Sequence, residues 1–287
     1  MVIIISSEKC TEYSEKDHPE SPRRIVESAD LLKREGFKFV EAKPARIDDI
    51  LKTHSADYVE KLKALDFQEF ETPNHENIYE YALLAAGAAI QATEYAMKGE
   101  PAFSLMRPPG HHAGNKVMGF CYLNNAAIAG FYAQSKGVKK VAVLDIDFHH
   151  GNGTQEILMG KEGFLHVDLH AYPAWPMSGL KSEQNCINIL VGRNSEQNYL
   201  VKLDKGIRII QRFAPELLIV SAGFDTYDGD PVGSLGLKVE TFFDIGKKIS
   251  GLCKSENIKS GSILEGGYSS ALPECISNYL KGLESIK

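Results

Sequence analysis

No C-x-x-C pair, no basic surplus and no long apolar run appear in this chain, and each absence removes a class of function. The five cysteines, Cys10, Cys121, Cys186, Cys253 and Cys275, are odd in number and widely spaced, which argues against a disulfide framework and reads as reduced, packed thiols. A formal net charge of -6 leaves no basic footprint for nucleic acid. The opening stretch, MVIIISSEKC, has five residues before Ser6 and no basic flank, too short for a signal peptide or a membrane span. A membrane partner is therefore not expected, and a cytoplasmic address is the default. There is no internal repeat and no low-complexity linker.

What is present is ordinary for a globular enzyme: 43% apolar and 24% charged residues over 287 positions, which argues against disorder and suits one domain, 1–287, with one large core. A homo-oligomer is compatible with it.

The densest chemistry lies in Val141 to Gly153, VAVLDIDFHHGNG. Its apolar, β-branched start predicts a strand buried on both faces, and a period of two points Asp145 and Asp147 the same way. His149 follows where the chain turns through Gly151 and Gly153. A lone D-x-D usually caps a helix. Here four ionisable groups fall within six residues behind a buried run, a cluster costly to desolvate unless paired or metal-bound. Oxygen and nitrogen donors favour zinc or a similar divalent ion, with Asp147 and His149 as ligands and Asp145 in support.

Strands are predicted at Val2–Ile5, Phe37–Val40, Ala102–Leu105, from Val141, and at Phe164–Leu169, Ile187–Leu190, Leu217–Ser221 and Ser262–Leu264. Helices alternate with them, including 78–97, 198–213 and 237–253. The acidic loop FQEFETPNHEN, with Glu69, Glu71, His75 and Glu76, reads as a solvated connection. Alternation of strands and helices predicts a parallel sheet with right-handed crossovers, whose ligands bind outside the strands' carboxyl ends. Four apolar strands run there into RPPGHH, DIDFHHGNG, AGFD and EGGY. One rim would then gather His111, His112, Asp147, His149, Asp225 and Tyr268.

Asp147, His149 and Asp225 supply three ligands and leave open positions, as in a catalytic zinc site. Such an ion acidifies water and polarises a carbonyl. The tandem His111 and His112 provide a base that later protonates a leaving group, and Tyr268 can donate to a developing oxyanion. Amide hydrolysis is the natural reaction.

RPPGHHA, GFCYLNN, LDIDFHHGNGTQ, AGFD with GDPVG, and LEGGYS, joined by HPESPRR and HSADY, are similar to the histone deacetylase and acetylpolyamine amidohydrolase superfamily, which includes the acetoin-utilisation proteins. The resemblance runs from about His18 to Tyr268. It implies an α/β arginase-deacetylase fold, an eight-stranded parallel sheet with helices on both faces. It implies zinc on Asp147, His149 and Asp225, His112 as general base and acid, His111 as its partner and Tyr268 as carbonyl polariser. Asp145 would stand behind His111 and Asn152 behind His112. Asn152 is the variant of class II and bacterial members, and its neutral amide gives His112 less support for a proton than an aspartate would. Substrate contacts would fall on Gly119, Phe120, Trp175, Val232 and Gly267. A potassium ion is implied beside the zinc, through Asp145, backbone near Asp147 and His149, and Asp168 and Leu169 of the next strand, although many members carry serine where this chain has Asp168.

The expected activity is zinc-dependent removal of acetyl or other short acyl groups from an acylated amine, either acyl-lysine in a protein or a small acylamine. An acetylpolyamine deacetylase is the nearest alternative. Polyamine specialists carry a glutamate after GDP, where this chain has Val232, although the acidic loop could supply a charge from the other side. A binuclear ureohydrolase would need more carboxylates in DIDFHH, and an acyl-lysine reader or pseudoenzyme is the alternative outside catalysis.

Overall fold

The computed structural model describes residues 1–192 and 196–286. Eight parallel strands form one sheet: β1 (Ile3–Ser6), β2 (Lys38–Glu41), β3 (Ala102–Ser104), β4 (Val141–Asp145), β5 (Phe164–Ala171), β6 (Cys186–Val191), β7 (Leu217–Ala222) and β8 (Lys259–Leu264). Their spatial order is β2-β1-β3-β8-β7-β4-β5-β6, and every pairing is parallel. The helices are α1 (Arg23–Arg34), α2 (Ile47–Ile50), α3 (Ala56–Lys63), α4 (Ile78–Met97), α5 (Asn125–Ser135), α6 (Asn152–Leu158), α7 (Glu196–Phe213), α8 (Thr241–Ser255) and α9 (Leu272–Glu284).

Both faces of the central sheet are covered, which is why β4 and β7 read as nearly unbroken apolar runs. On one face Val141, Val143, Leu217 and Ile219 meet the alanines of α4 and α5. On the other, Ala142, Leu144, Leu218 and Val220 pack with Leu203, Ile210, Ile249 and Ile276 from α7, α8 and α9. Small residues on α4 and α5 let those helices lie close to the strands. No helix among the described residues is long and apolar enough to cross a membrane.

Several boundaries differ from expectation by a few residues, and three of the differences have a visible local cause. β4 stops at Asp145, so Asp147 is placed by a turn in which Asp145 Oδ1 accepts the Asp147 N–H at 3.0 Å. The Asn-Gly pair at 152 and 153, which reads as a turn, opens α6 instead. α8 begins at Thr241 rather than Leu237, because the Leu237 N–H donates to Thr226 O in the preceding loop.

The four strands with polar outlets, β3, β8, β7 and β4, are neighbours in the centre of the sheet. Their carboxyl ends therefore open onto a single rim, as parallel α/β topology requires of a ligand site.

Candidate active site

The segments after β4 and β7 supply a buried acceptor cluster, and the segment after β8 supports it with a backbone donor. Ligand atoms of Asp147, His149 and Asp225 lie within 4.8 Å of one another. His149 Nδ1 is 3.2 Å from Asp147 Oδ1 and 2.9 Å from Asp225 Oδ2. Backbone donors fix the remaining lone pairs: Gly266 N–H on Asp147 Oδ2 at 2.8 Å, His149 N–H on Asp147 Oδ1 at 2.9 Å and Phe148 N–H on Asp225 Oδ1 at 2.8 Å. Asp225 Oδ2 is left without a directed hydrogen bond although fully buried and close to His149. An orphaned carboxylate oxygen beside an imidazole and a second carboxylate fits a divalent cation. Position 266 must be glycine, because a Cβ there would come within 2.5 Å of Asp147 Oδ2 and 2.7 Å of Asp225 Oδ2.

The charges follow from this packing. Burial pushes the Asp225 carboxyl up to about 7, aided by the neighbouring Asp147 charge. Burial works against a charged His149, but Asp147 and Asp225 outweigh it and lift the imidazole to about 10. Both shifts favour the protonated forms, which a bound cation would have to displace.

The tandem histidines rest on the stiff RPPGHH loop after β3. Glu265, at the end of β8, clamps that loop by accepting the backbone N–H groups of Gly110 and His111 at 2.7 and 3.1 Å. His111 Nδ1 is 2.9 Å from Asp145 Oδ2, and His112 Nδ1 is 2.8 Å from Asn152 Oδ1. Two similar rings thereby acquire opposite character. Burial disfavours charge on His111, yet Asp147 and Asp145 hold its pKa well above the ordinary value. His112 is driven well below it by burial and by the positive character of His111 and His149. A neutral imidazole whose Nδ1 is tied to an amide oxygen keeps Nε2 free to accept a proton.

A cavity of about 210 Å³ opens over these groups, lined by His112, His149, Gly119, Phe120, Trp175, Val232, Tyr268 and Glu71. Phe120 and Tyr268 meet edge to face at 5.7 Å, and Trp175 stands 4.7 Å from the His112 ring. Gly119 (φ +55°) admits that approach, since a Cβ would fall 2.6 Å from both His112 and Trp175. Burial holds the Tyr268 phenol well above its ordinary pKa, so it stays a donor.

The structure thus brings His111, His112, Asp147, His149, Asp225 and Tyr268 together on one rim, with Asp145 and Asn152 behind the histidines. Of the expected substrate contacts, Gly119, Phe120, Trp175 and Val232 line the cavity, whereas Gly267 does not. Gly267 instead offers its carbonyl to Arg24 Nε at 2.7 Å. Leu169 turns into the core on the far face of β5.

Two contributors, Arg24 and Asp230, were not legible as such, and Glu71 reads in the sequence as solvated, with its loop weighed as a source of charge. Glu71 is exposed, as expected for the acidic loop, but the loop is also a wall: Glu71 lines the cavity, and Thr72 Oγ1 accepts the Phe120 N–H at 2.8 Å. Arg24, inside HPESPRR, stacks 4.8 Å over the Tyr268 ring and donates to the carbonyls of Gly267 and Glu265. Asp230 of GDPVG takes the Tyr268 and Ser269 N–H groups on Oδ2 and those of Val232 and Gly233 on Oδ1. One carboxylate thereby ties the tyrosine loop to the Val232 rim.

A family model for the histone deacetylase domain matches residues 18–283. A probable deacetylase of Archaeoglobus fulgidus is 32% identical over 94% of this chain and 82% of its own. The HDA15 HD domain crystal structure superposes with a TM-score of 0.91 at 29% identity, covering 99% of this chain and 90% of that one. The acetylpolyamine aminohydrolase from Burkholderia pseudomallei gives 0.90 at 25% identity, covering 100% and 99%.

Proposed function

The chain belongs to the histone deacetylase family, and from that premise we propose that it is a zinc-dependent amidohydrolase that removes acetyl or other short acyl groups from an acylated amine. The observation that carries the reading is the meeting, around one cavity, of a three-acceptor cluster, of His112 with its Nδ1 held by Asn152, and of the Tyr268 phenol. Zinc on Asp147, His149 and Asp225 would supply Lewis acidity toward the water and the carbonyl.

This chain's own groups do the rest. His112 Nε2 accepts the proton of the attacking water and returns it to the departing amine, while its Nδ1 is held by Asn152. His111, kept charged by Asp145 and Asp147, discourages an early proton on its neighbour. Tyr268 donates its hydroxyl to the developing oxyanion. Arg24 and Asp230 hold the loop that aims it. Phe120 and Trp175 exclude water from the aliphatic arm of the substrate.

A second reading of the substrate rests on Glu71. Val232 gives a cationic substrate no charge, but the Glu71 carboxylate at the same cavity supports an acylated amine with a distal positive group, such as an acetylpolyamine. Comparing acetyl-lysine peptides with acetylspermidine decides between them. Acyl-lysine stands if peptide turnover is at least as efficient; a hundredfold polyamine advantage, about 2.7 kcal/mol of transition-state binding, replaces it.

A further inference from the structure

Alternation along β5 places His166, Asp168 and His170 on one face and Leu165, Val167 and Leu169 on the other. The second set joins the main core. The first set is fully buried as well, with 0% exposure for all three. Strand register sets Asp168 directly beside Asp145 of β4. Carboxylate oxygens of Asp145 and Asp168 and a ring nitrogen of His166 lie within 4.8 Å of one another, with His166 Nε2 3.8 Å from Asp168 Oδ2.

Neither nitrogen of His166 has a hydrogen-bond partner. A dry interior does not retain such a group without cost. Its neighbours are more fully engaged, although His170 Nε2 is unpaired as well. His170 Nδ1 is 2.8 Å from Asp168 Oδ1, and His150 is tied to Ser178 Oγ and Gln155 Oε1 at 2.7 and 3.0 Å. Of the three histidines only His166 has both ring nitrogens unpaired, and one of them lies close to two carboxylates. Those carboxylates accept Gly151 N–H on Asp168 Oδ2, and Asp147 N–H and His111 on Asp145, and each oxygen keeps a second lone-pair direction.

Two aspartates and one histidine repeat the donor set of Asp147, His149 and Asp225. Resemblance to the family implies potassium here, on oxygen donors alone. An imidazole nitrogen suits zinc-class ions instead, and a second carboxylate raises the negative charge beyond that of a serine-bearing site. We propose that Asp145, Asp168 and His166 form a second metal site in this chain, selective for a divalent transition ion over potassium. The ion would bridge β4 and β5 behind the tandem histidines. The inference goes beyond the proposed amidohydrolase activity and does not depend on it.

The test is metal content of the full chain, stripped with chelator, reloaded with Zn²⁺ in excess KCl and desalted. Wild type should retain about two ions per chain, and both Asp225→Ala and His166→Leu about one; the third three-donor group, His150, Asp168 and His170, shares Asp168 and has both His150 nitrogens taken by Ser178 and Gln155. Zinc-loaded His166→Leu should melt below zinc-loaded wild type. Without metal it should melt no lower, since leucine replaces an unpaired imidazole. If His166→Leu does not fold, Asp168→Ser carries the same count. A single wild-type ion, lost in Asp225→Ala and kept in His166→Leu, overturns the second site and leaves the catalytic reading intact. Retention of every ion in Asp225→Ala overturns the catalytic ligand set, while loss of one in His166→Leu still upholds the second site.

Discussion

Replacing Asn152 by aspartate changes one group behind the catalytic base and should move the enzyme's pH profile in a calculable direction. The amide oxygen of Asn152 is 2.8 Å from His112 Nδ1, inside a site where burial and two positive neighbours hold His112 well below its ordinary pKa. A carboxylate there would face an imidazolium with charge centres about 4 Å apart. At an effective dielectric of about 20 that attraction is about 4 kcal/mol, a ceiling of roughly three pKa units. Desolvating the new carboxylate returns part of it, leaving a rise of about 1 to 3 units. The sign follows from the role: His112 acts when neutral, so a raised pKa moves the acid limb of kcat/KM to higher pH by the same amount. Below the new limb the variant is slower than wild type; above it, the stronger base keeps pace or gains. Rates on an acetyl-lysine amide across pH, with zinc content measured on the same samples, provide the assay. An unmoved or lowered acid limb at full zinc occupancy would refute His112 as the titrating base.

Tyr268→Phe should keep zinc and fold while turnover falls by about 10² or more, the scale of one lost oxyanion donor; near-full turnover would make Tyr268 a packing residue. Zinc binding should release protons, because His149 (about 10) and Asp225 (about 7) must both be deprotonated as ligands. Calorimetry on His166→Leu, which keeps this site alone, in buffers of different ionisation enthalpy should find about one proton at pH 8 and about two at pH 6, with affinity falling more steeply below pH 7; a pH-independent count contradicts the assigned ligands. Glu71→Gln should lower kcat/KM for acetylspermidine and leave a neutral acetyl-lysine amide within about twofold, and Val232→Glu should favour the polyamine, each by about 1 kcal/mol or less if the rim stays exposed. Unchanged selectivity in both variants would remove the rim from substrate choice.

The strands were legible because most of the sheet is covered on both faces, so the inner strands carry apolar runs, and the four reactive outlets follow four such runs. Asp147, His149, Asp225, His112 and Tyr268 could be gathered from that pattern, since parallel topology sends all the outlets to one rim. Lengths and supports were less legible. Asp147 belongs to a turn held by Asp145, and α6 starts on Asn-Gly, where local propensity favours a turn but capture of the Thr154 N–H by His111 O at 3.0 Å helps stabilise the helix start. Arg24 acts on carbonyls more than 240 residues away, a relation that local pattern does not carry. Glu71 looked solvated, and it is; that its loop also walls the cavity depends on the Thr72 bond to Phe120. His166, Asp168 and His170 share a face by simple alternation, but their joint burial shows only once the helices cover that face.

The most direct measurement follows acetate release from an acetyl-lysine amide by chelator-stripped protein before and after Zn²⁺ is restored, in wild type and Asp225→Ala. Stripped wild type should be inactive and regain turnover with zinc, while Asp225→Ala should remain inactive at the same zinc concentration. Turnover that persists after stripping, or that zinc restores equally in Asp225→Ala, would contradict a zinc amidohydrolase built on Asp147, His149 and Asp225.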